Sequence, residues 1–593
     1  MKRVTIPITL TVKGPVLTKS STMGRFGVDA LMASSQFSNP VTGVAERRYY
    51  LPGRLIKGLV REALQELSTL RDAYAKLIPE WLGEEPPEDT GDEPRRGRLL
   101  FGDFADLEAG VGEEKLRYRI AIEECRGAAD AQKLQMIESP YAAGQTVRFT
   151  GKVRFLISDE EVAKGRSGDV TEALERGLCW IRAVGGNRTV GFGEVQEVSM
   201  GKALEESPPS EVTAQGTLWN LRLSFQEPLM FSERRIAENL FESGDVVPGG
   251  AIKGALAETM KVEPAALEAL KRELHKVGFT HAFPAVKGGS RPEQWPLSLL
   301  AFGETESCVV DVFRKDGGVL RDGKAGAFDI DWKEPLKKQV RARFGWPKLE
   351  RELRVRVSID SALGKAADQD LFAWRMALPH QMEWCGRVDV SELSAPAREQ
   401  LERLLRFGVE PIGKTKALGV VEIGETPEVA PERREAFVVT LRTPALLIDP
   451  SRRLAPNGGI GSGRQEDLRL ELGDAWRELS GGSLELVNYY QRCTLAGGKY
   501  FQQRFLGTVR PYRPYLLSNA GSTFLLKPAN GREDDAQECL KRWARKGLPL
   551  AAGVRTFYAI PDEWDQQWRH CPYLPENGYG EVAVNQVCPY PEA

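Results

Sequence analysis

Leu51-Pro-Gly-Arg-Leu-Ile-Lys-Gly-Leu-Val-Arg-Glu-Ala-Leu64 returns as Val247-Pro-Gly-Gly-Ala-Ile-Lys-Gly-Ala-Leu-Ala-Glu-Thr-Met260, 196 residues further on. That offset is a domain length. Proline fits the first turn of a helix, so Pro-Gly ahead of an apolar run reads as a helix start in both copies. Outward from this pair, further pieces recur in one order. Leu100-Phe-Gly-Asp103 is matched to Leu300-Ala-Phe-Gly-Glu304, and Arg117-Tyr-Arg-Ile-Ala-Ile122 to Arg354-Val-Arg-Val-Ser-Ile359. Gly127-Ala-Ala-Asp130 is matched to Lys365-Ala-Ala-Asp368. Glycine-rich turns close the units at Gly185-Gly-Asn-Arg-Thr-Val-Gly-Phe-Gly193, at Gly413-Lys-Thr-Lys-Ala-Leu-Gly419 and, in a divergent third copy, at Asn577-Gly-Tyr-Gly580.

Each unit opens on a strand with period-two alternation: Val4, Ile6, Ile8, Leu10, Val12; then Trp219, Leu221, Leu223, Phe225; then Phe437, Val439, Leu441. Polar, proline-bearing joints at Glu205 to Gln215 and Thr426 to Arg434 separate them. Three domains are expected, at 1–204, 216–425 and 435–593. Within a unit the order is strand, long loop, helix, strands, a helix such as Thr171 to Gly177, and a final strand. This points to an α+β class of tandem ferredoxin-like domains with long inserted loops, one sheet face under helices and the other free for a ligand.

The chain of 593 residues is 41% hydrophobic, has a net charge of −2, and contains no apolar run of membrane-spanning length. Membrane insertion is excluded, and any polyanionic partner must be held by local placement of Lys and Arg. The stretch Val4 to Val12 reads as structure, not as a signal peptide. Eight cysteines without a C-x-x-C pair, and only four histidines, argue for reduced thiols in a cytoplasm and against structural zinc.

Arg54, Lys57 and Arg61 fall on one face of the first Pro-Gly helix. Gly53 permits close backbone approach, so this helix start is a candidate phosphate contact. Gly249 and Lys253 repeat the pattern. Gly408-Val-Glu-Pro-Ile-Gly-Lys-Thr415 matches the P-loop expression, but a helix at Ala397 to Arg406 precedes it and a strand at Leu418 to Ile423 follows it, so no nucleotide cofactor is expected. Lys414 and Arg188 are instead candidate phosphate contacts in equivalent turns. His275, His281, His380 and His570 lack a nucleophile signature, and packing is favoured for His281. Tyr489, Tyr490, Tyr500, Phe501, Tyr512 and Tyr515 alternate with Arg492, Lys499, Arg504, Arg510 and Arg513. That mixture suits base stacking on RNA and an ordinary core equally.

These landmarks together resemble the RAMP superfamily of CRISPR proteins over nearly the whole chain. The first unit resembles a backbone subunit of type III effector complexes. The second and third resemble the RAMP subunit peculiar to subtype III-D, although three units of one type remain an alternative. The resemblance implies binding of crRNA and target RNA, assembly with other effector subunits, and endoribonuclease activity with Mg2+ or Mn2+. In backbone subunits that cut target RNA, a catalytic aspartate lies on the loop between the first strand and the Pro-Gly turn. Here that loop reads Gly24-Arg-Phe-Gly-Val-Asp29, which implies Asp29 as the catalytic residue. The matching loop of the second unit, Gln226 to Val246, lacks Gly-x-Asp and is expected to bind without cutting. The alternative is a structural crRNA-binding subunit without catalysis. A guide-processing nuclease would call for a histidine in an early loop, and none precedes residue 275.

Overall fold

The computed structural model describes residues 1–590 apart from 21–27, 39–43, 85–94, 109–114, 121, 124, 126–127, 131–132, 232–233, 314–319, 322, 328–333, 361–364, 427–429, 454–464 and 499–512. The fold is α+β. The first unit contains β1 (Lys2–Lys13), α1 (Gly53–Ser68), β2 (Phe104–Asp106), β3 (Thr146–Ile157), α2 (Arg166–Cys179) and β4 (Glu194–Met200). Its sheet runs β4-β1-β3-β2, with each of these neighbours antiparallel. The second contains β5 (Leu218–Ser224), α3 (Gly249–Met260), β6 (Phe283–Val286), β7 (Met382–Asp389), α4 (Ala395–Phe407) and β8 (Ala417–Glu425), ordered β6-β7-β5-β8. The third contains β9 (Phe437–Leu441), α5 (Gln465–Leu479), β10 (Leu484–Tyr490), β11 (Thr523–Pro528), α6 (Glu533–Lys546) and β12 (Val582–Val584), ordered β10-β11-β9-β12. All three sheets place their strands second, third, first, fourth.

The alternation seen in the opening strands is the reason. Val4, Ile6, Ile8, Leu10 and Val12 are each at most 1% exposed, and Ile56, Leu59, Val60 and Leu64 of α1 close over them. Each such side chain contributes about 1.5–3 kcal/mol on burial, which fixes the face and register of the strand. Separate apolar cores gather around β1, β5 and β9. No helix among the described residues is long and apolar enough to cross a membrane.

One expected correspondence is corrected. Leu300-Ala-Phe-Gly-Glu304 is not the counterpart of Leu100-Phe-Gly-Asp103, because Leu299–Ala301 pairs with Val309–Asp311 in a separate two-stranded sheet. A Cβ on Gly53 would lie 2.3 Å from the Gly102 carbonyl oxygen, and one on Gly249 would lie 2.2 Å from that of Phe279. Gly53 N–H donates to Asp103 Oδ1 (2.9 Å), and Gly249 N–H to His281 Nδ1 (3.3 Å). The geometric counterpart is therefore Gly278-Phe-Thr-His281, with His281 capping the helix as Asp103 does.

The sheet faces expected to be free for a ligand are also corrected, because they are docking faces. Opposite the helices, β1 and β3 present Arg3 beside Leu156 and Thr5 beside Arg154, and the second unit sits there. Arg3 donates to the Glu410 carboxylate and to the Phe407 carbonyl (2.7 Å), and its guanidinium stacks on the Phe407 ring at 4.1 Å. Arg154 binds Glu227 through two nitrogens, and Met1 and Leu156 join the core of the second unit. The third unit docks likewise on the matching face of the second. Arg387 and Asp389 of β7 meet Glu581 (2.9 Å) and Arg545 (2.9 Å).

Glu581 is buried and receives Arg291 through both oxygens (2.6 and 2.7 Å) as well as Arg387, with Arg442 at 3.7 Å. Burial alone would raise its carboxyl, but Arg291, Arg387 and Arg442 outweigh burial and hold it well below the carboxylate range. Its contribution is complete above the ordinary value near 4.3 and is lost as pH falls through the folded value. Glu581→Gln should lower stability at neutral pH by about 3 kcal/mol. A lower urea midpoint would register this, and the difference from wild type should shrink in strong acid.

Candidate nucleic-acid interface

Helix α1 carries Arg54, Lys57 and Arg61 on the flank away from its core, at spacings of three and four. Facing them is the turn after the strand Val409–Ile412 of the second unit. Gly413 adopts φ +64°, and a Cβ there would lie 2.5 Å from the Met230 carbonyl oxygen. Lys414 N–H donates to that same oxygen (2.9 Å). Lys416 also lies in the left-handed region, at φ 57°, a conformation costing a non-glycine residue on the order of 1 kcal/mol. Between helix and turn is a cleft of about 420 Å3 lined by Arg54, Lys57, Arg61, Arg154, Lys414 and Lys416. Glu227 is the one carboxylate in that lining, and it is bound to Arg154.

Among the described residues, several of these cations rest on neutral groups. Arg61 donates to the Leu82 carbonyl (2.6 Å). Arg54 and Lys414 both lie over the Trp374 ring, at 5.2 and 5.7 Å, and Lys414 also over Phe241 at 5.8 Å. The Lys57 ammonium has no hydrogen-bond or ion-pair partner among the described residues. Burial, reinforced by Lys416, Arg61 and Arg54, pulls its pKa down to about 7. Burial likewise lowers Arg54 and Lys416. Six cations gathered around one carboxylate in the described lining make a candidate site for an anion.

The structure thus brings Arg54, Lys57, Arg61 and Lys414 together, although they come from different units. Gly53 approaches the chain itself, not a ligand, and its N–H is taken by Asp103. Arg188 lies on the other flank of α1, in a recess with Glu62, Glu66, Trp180 and Arg182. Its turn is nonetheless equivalent to that of Lys414, since Gly186 N–H donates to the Leu17 carbonyl (2.7 Å). Gly249 packs against Asn577 of the closing turn of the third unit. Lys253 donates to the carbonyls of Val277 (2.9 Å) and His275 (3.4 Å), and burial lowers its pKa to about 8. At the junction of the second and third units Lys253 is therefore taken up internally, and the recess there is small, about 50 Å3, and lined by both signs of charge, whereas the cleft between the first and second units is larger and basic. The P-loop-like segment follows α4 and precedes β8, the setting read from sequence. Sequence reasoning missed Lys416, visible in Gly413-Lys-Thr-Lys416, and Arg154, which carries no motif.

Asp29 is exposed and lies beside the strand Gln135–Glu138. Its N–H donates to the Met136 carbonyl (2.8 Å), and Met136 N–H donates to Asp29 Oδ2 (2.6 Å). Glu138, also missed, receives Met32 N–H (2.7 Å) and the Tyr49 hydroxyl (2.9 Å), tying the loop to the body. Among the described residues no group of three or more His, Cys, Asp or Glu side chains could hold a metal ion. In the second unit's loop Asp245 pairs with Arg341 and Arg351; Glu233 lies outside the described residues. His281 is buried against Tyr579, and burial takes its imidazole down to about 4. Tyr515 is a core residue stacked on Tyr558. Tyr500, Phe501, Tyr512, Lys499, Arg504 and Arg510 lie outside the described residues.

Single-stranded RNA affinity should lose salt dependence when the cleft is neutralised. Changing Lys57, Lys414 and Lys416 together to Gln should flatten the log–log salt slope by about 2, measured by fluorescence anisotropy. Lys253→Gln should leave that slope alone and lower stability, because its ammonium ties a helix to a strand.

No family model matches the chain, and no curated protein matches it. Solved structures do. A chain of the type III-B Cmr-beta complex bound to cognate target RNA and AMPPnP is 11% identical, with a TM-score of 0.29 over 52% of this chain and 86% of that chain. A chain of a type IV-B CRISPR complex is 12% identical, with a TM-score of 0.22 over 36% and 93%. A second Cmr-beta chain, from the complex bound to cognate target RNA, is 13% identical, with a TM-score of 0.22 over 34% and 60%.

Proposed function

We propose that this chain is a crRNA-binding subunit of a type III CRISPR ribonucleoprotein, built from three ferredoxin-like RAMP domains at 1–204, 216–425 and 435–593. The observation that carries this reading is the convergence of Arg54, Lys57, Arg61 and Lys414 on one cleft, after each had been marked for phosphate contact from sequence alone. The threefold strand order supports the domain assignment, and the Pro-Gly helix starts and closing glycine turns of the first two units fall at matching places in it. Eight cysteines without a C-x-x-C pair fit a reducing cytoplasm. The resemblance of the later units favours subtype III-D and partner effector subunits.

Target cleavage is assigned to Asp29. The RNA 2′-oxygen forms a bond to the adjacent phosphorus, the P–O5′ bond breaks, and the 2′-hydroxyl proton ends on the departing 5′-oxygen. Asp29 has one carboxylate oxygen tied to Met136 N–H and one to offer. One oxygen is the share a protein commonly gives a magnesium ion whose other ligands are phosphates and water; a bound Mg2+ or Mn2+ would supply charge neutralisation at the phosphate. The competing scaffold reading draws on the same Met136 hydrogen bond, which suits a carboxylate that only fastens a loop.

Cutting of labelled target RNA by the guide-loaded complex separates the two. Asp29→Asn keeps an acceptor for Met136 and removes the charge. It should cost at least about a hundredfold in rate with guide binding intact; cutting at the wild-type rate would leave the scaffold.

A further inference from the structure

We infer that the cleft between the first and second units holds the phosphodiester backbone of RNA, and that each binding event there places a proton on Lys57. This rests on the RNA-binding reading above and adds the chemistry of the contact.

Cations from helix α1, from the turn and from β3 line the cleft around the Lys57 ammonium. Arg54 and Arg61 flank it on α1, Lys414 and Lys416 face it from the turn, and Arg154 stands behind on β3. Two carboxylates act nearby, and both are committed: Glu227 to Arg154, and Asp103 to Arg354. Arg96 adds to the field at Lys416. Arginines do not give up their protons near neutral pH, so a lysine must relieve the repulsion; Lys57, like Lys416 without a hydrogen-bond or ion-pair partner among the described residues, takes the repulsion of Lys416, Arg61 and Arg54 together. A second feature of the lining also lacks a partner: the Thr415 hydroxyl is buried without a hydrogen bond. A phosphate oxygen in the cleft would accept from that hydroxyl and from Lys57. Its charge would oppose the surrounding cations and restore the ammonium.

The sign follows from linkage. With the free ammonium titrating at about 7, an RNA that restores its ordinary value near 10.4 draws up a proton at any pH between the two. Affinity should then fall toward tenfold per pH unit above about 7. The probe is a short oligoadenylate without terminal phosphates, whose own groups do not titrate in this range. Calorimetry of the full chain, in two buffers of different protonation enthalpy, counts the protons. Wild type should take up close to one proton at about pH 8.5, and Lys57→Arg should bind with no uptake and a flat pH profile. Lys416→Gln, by removing the nearest opposing cation, should move the wild-type midpoint to higher pH. Binding by wild type without uptake, or a slope that survives in Lys57→Arg, overturns the proton coupling and leaves RNA binding standing. No oligoadenylate binding at any pH overturns both.

Discussion

Arg3 and Arg154, on the first sheet, meet Glu410 and Glu227 of the second unit with side chains no more than 5% exposed apart from Glu227 at 25%. Burying such charges has a desolvation cost that only good pairing offsets, and an orphaned partner costs about 3–5 kcal/mol. The network therefore specifies one docking position, since a slip by one strand residue would present Val4 and Val153 to the carboxylates in place of the two arginines. Glu410 sits on the strand Val409–Ile412, and the turn of Lys414 and Lys416 begins one residue after that strand ends. The anchor and the cations thus share one short, stiff piece of backbone, so fixing Glu410 fixes the cleft.

The two junctions use one device with opposite results. In each, the closing turn of one unit lies against the helix start of the unit before it. At the second junction that turn is Asn577 to Gly580, and its glycine leaves no space: a Cβ on Gly578 would lie 2.3 Å from His281 Nδ1. Polar atoms there are consumed internally, with Lys253 on carbonyls and Glu581 on arginines. At the first junction the helix meets the turn through Arg54, which donates to the Lys414 carbonyl (3.5 Å), and the cleft lies beside that contact. Duplicated architecture with a few changed side chains yields a small recess lined by both signs of charge at one joint and a larger basic cleft at the other.

Much of this was legible in the chain because it is local. The opening strands, the Pro-Gly helix starts and the glycine turns each follow from spacing and backbone freedom within a dozen residues. Letter matching failed where geometry alone decides. Leu300-Ala-Phe-Gly-Glu304 looks like Leu100-Phe-Gly-Asp103, yet the true counterpart shares one phenylalanine with it and exchanges an aspartate for His281, since both side chains accept a hydrogen bond from the helix start. Arg154 and Glu410 were invisible as a pair, because nothing near either one marks a partner in another unit. Glu138 was missed for the same reason: its work is to receive Met32 N–H and the Tyr49 hydroxyl across long loops.

A cluster of cations is unfavourable in an empty protein, so something else must hold it. Trp374 carries part of the load, lying under both Arg54 and Lys414; a ring face stabilises a desolvated cation by about 1–2 kcal/mol. Carbonyl contacts at Leu82 carry another part for Arg61. The docking network carries the rest, because spreading the two units apart would expose Met1 and Leu156 and strand four buried charges. These supports act on the cations through rings, carbonyls and paired carboxylates, and among the described residues Glu227, bound to Arg154, is the one carboxylate in the cleft lining. A fold stabilising an ordinary interface would place a glutamate opposite Lys57, as it does opposite Arg154.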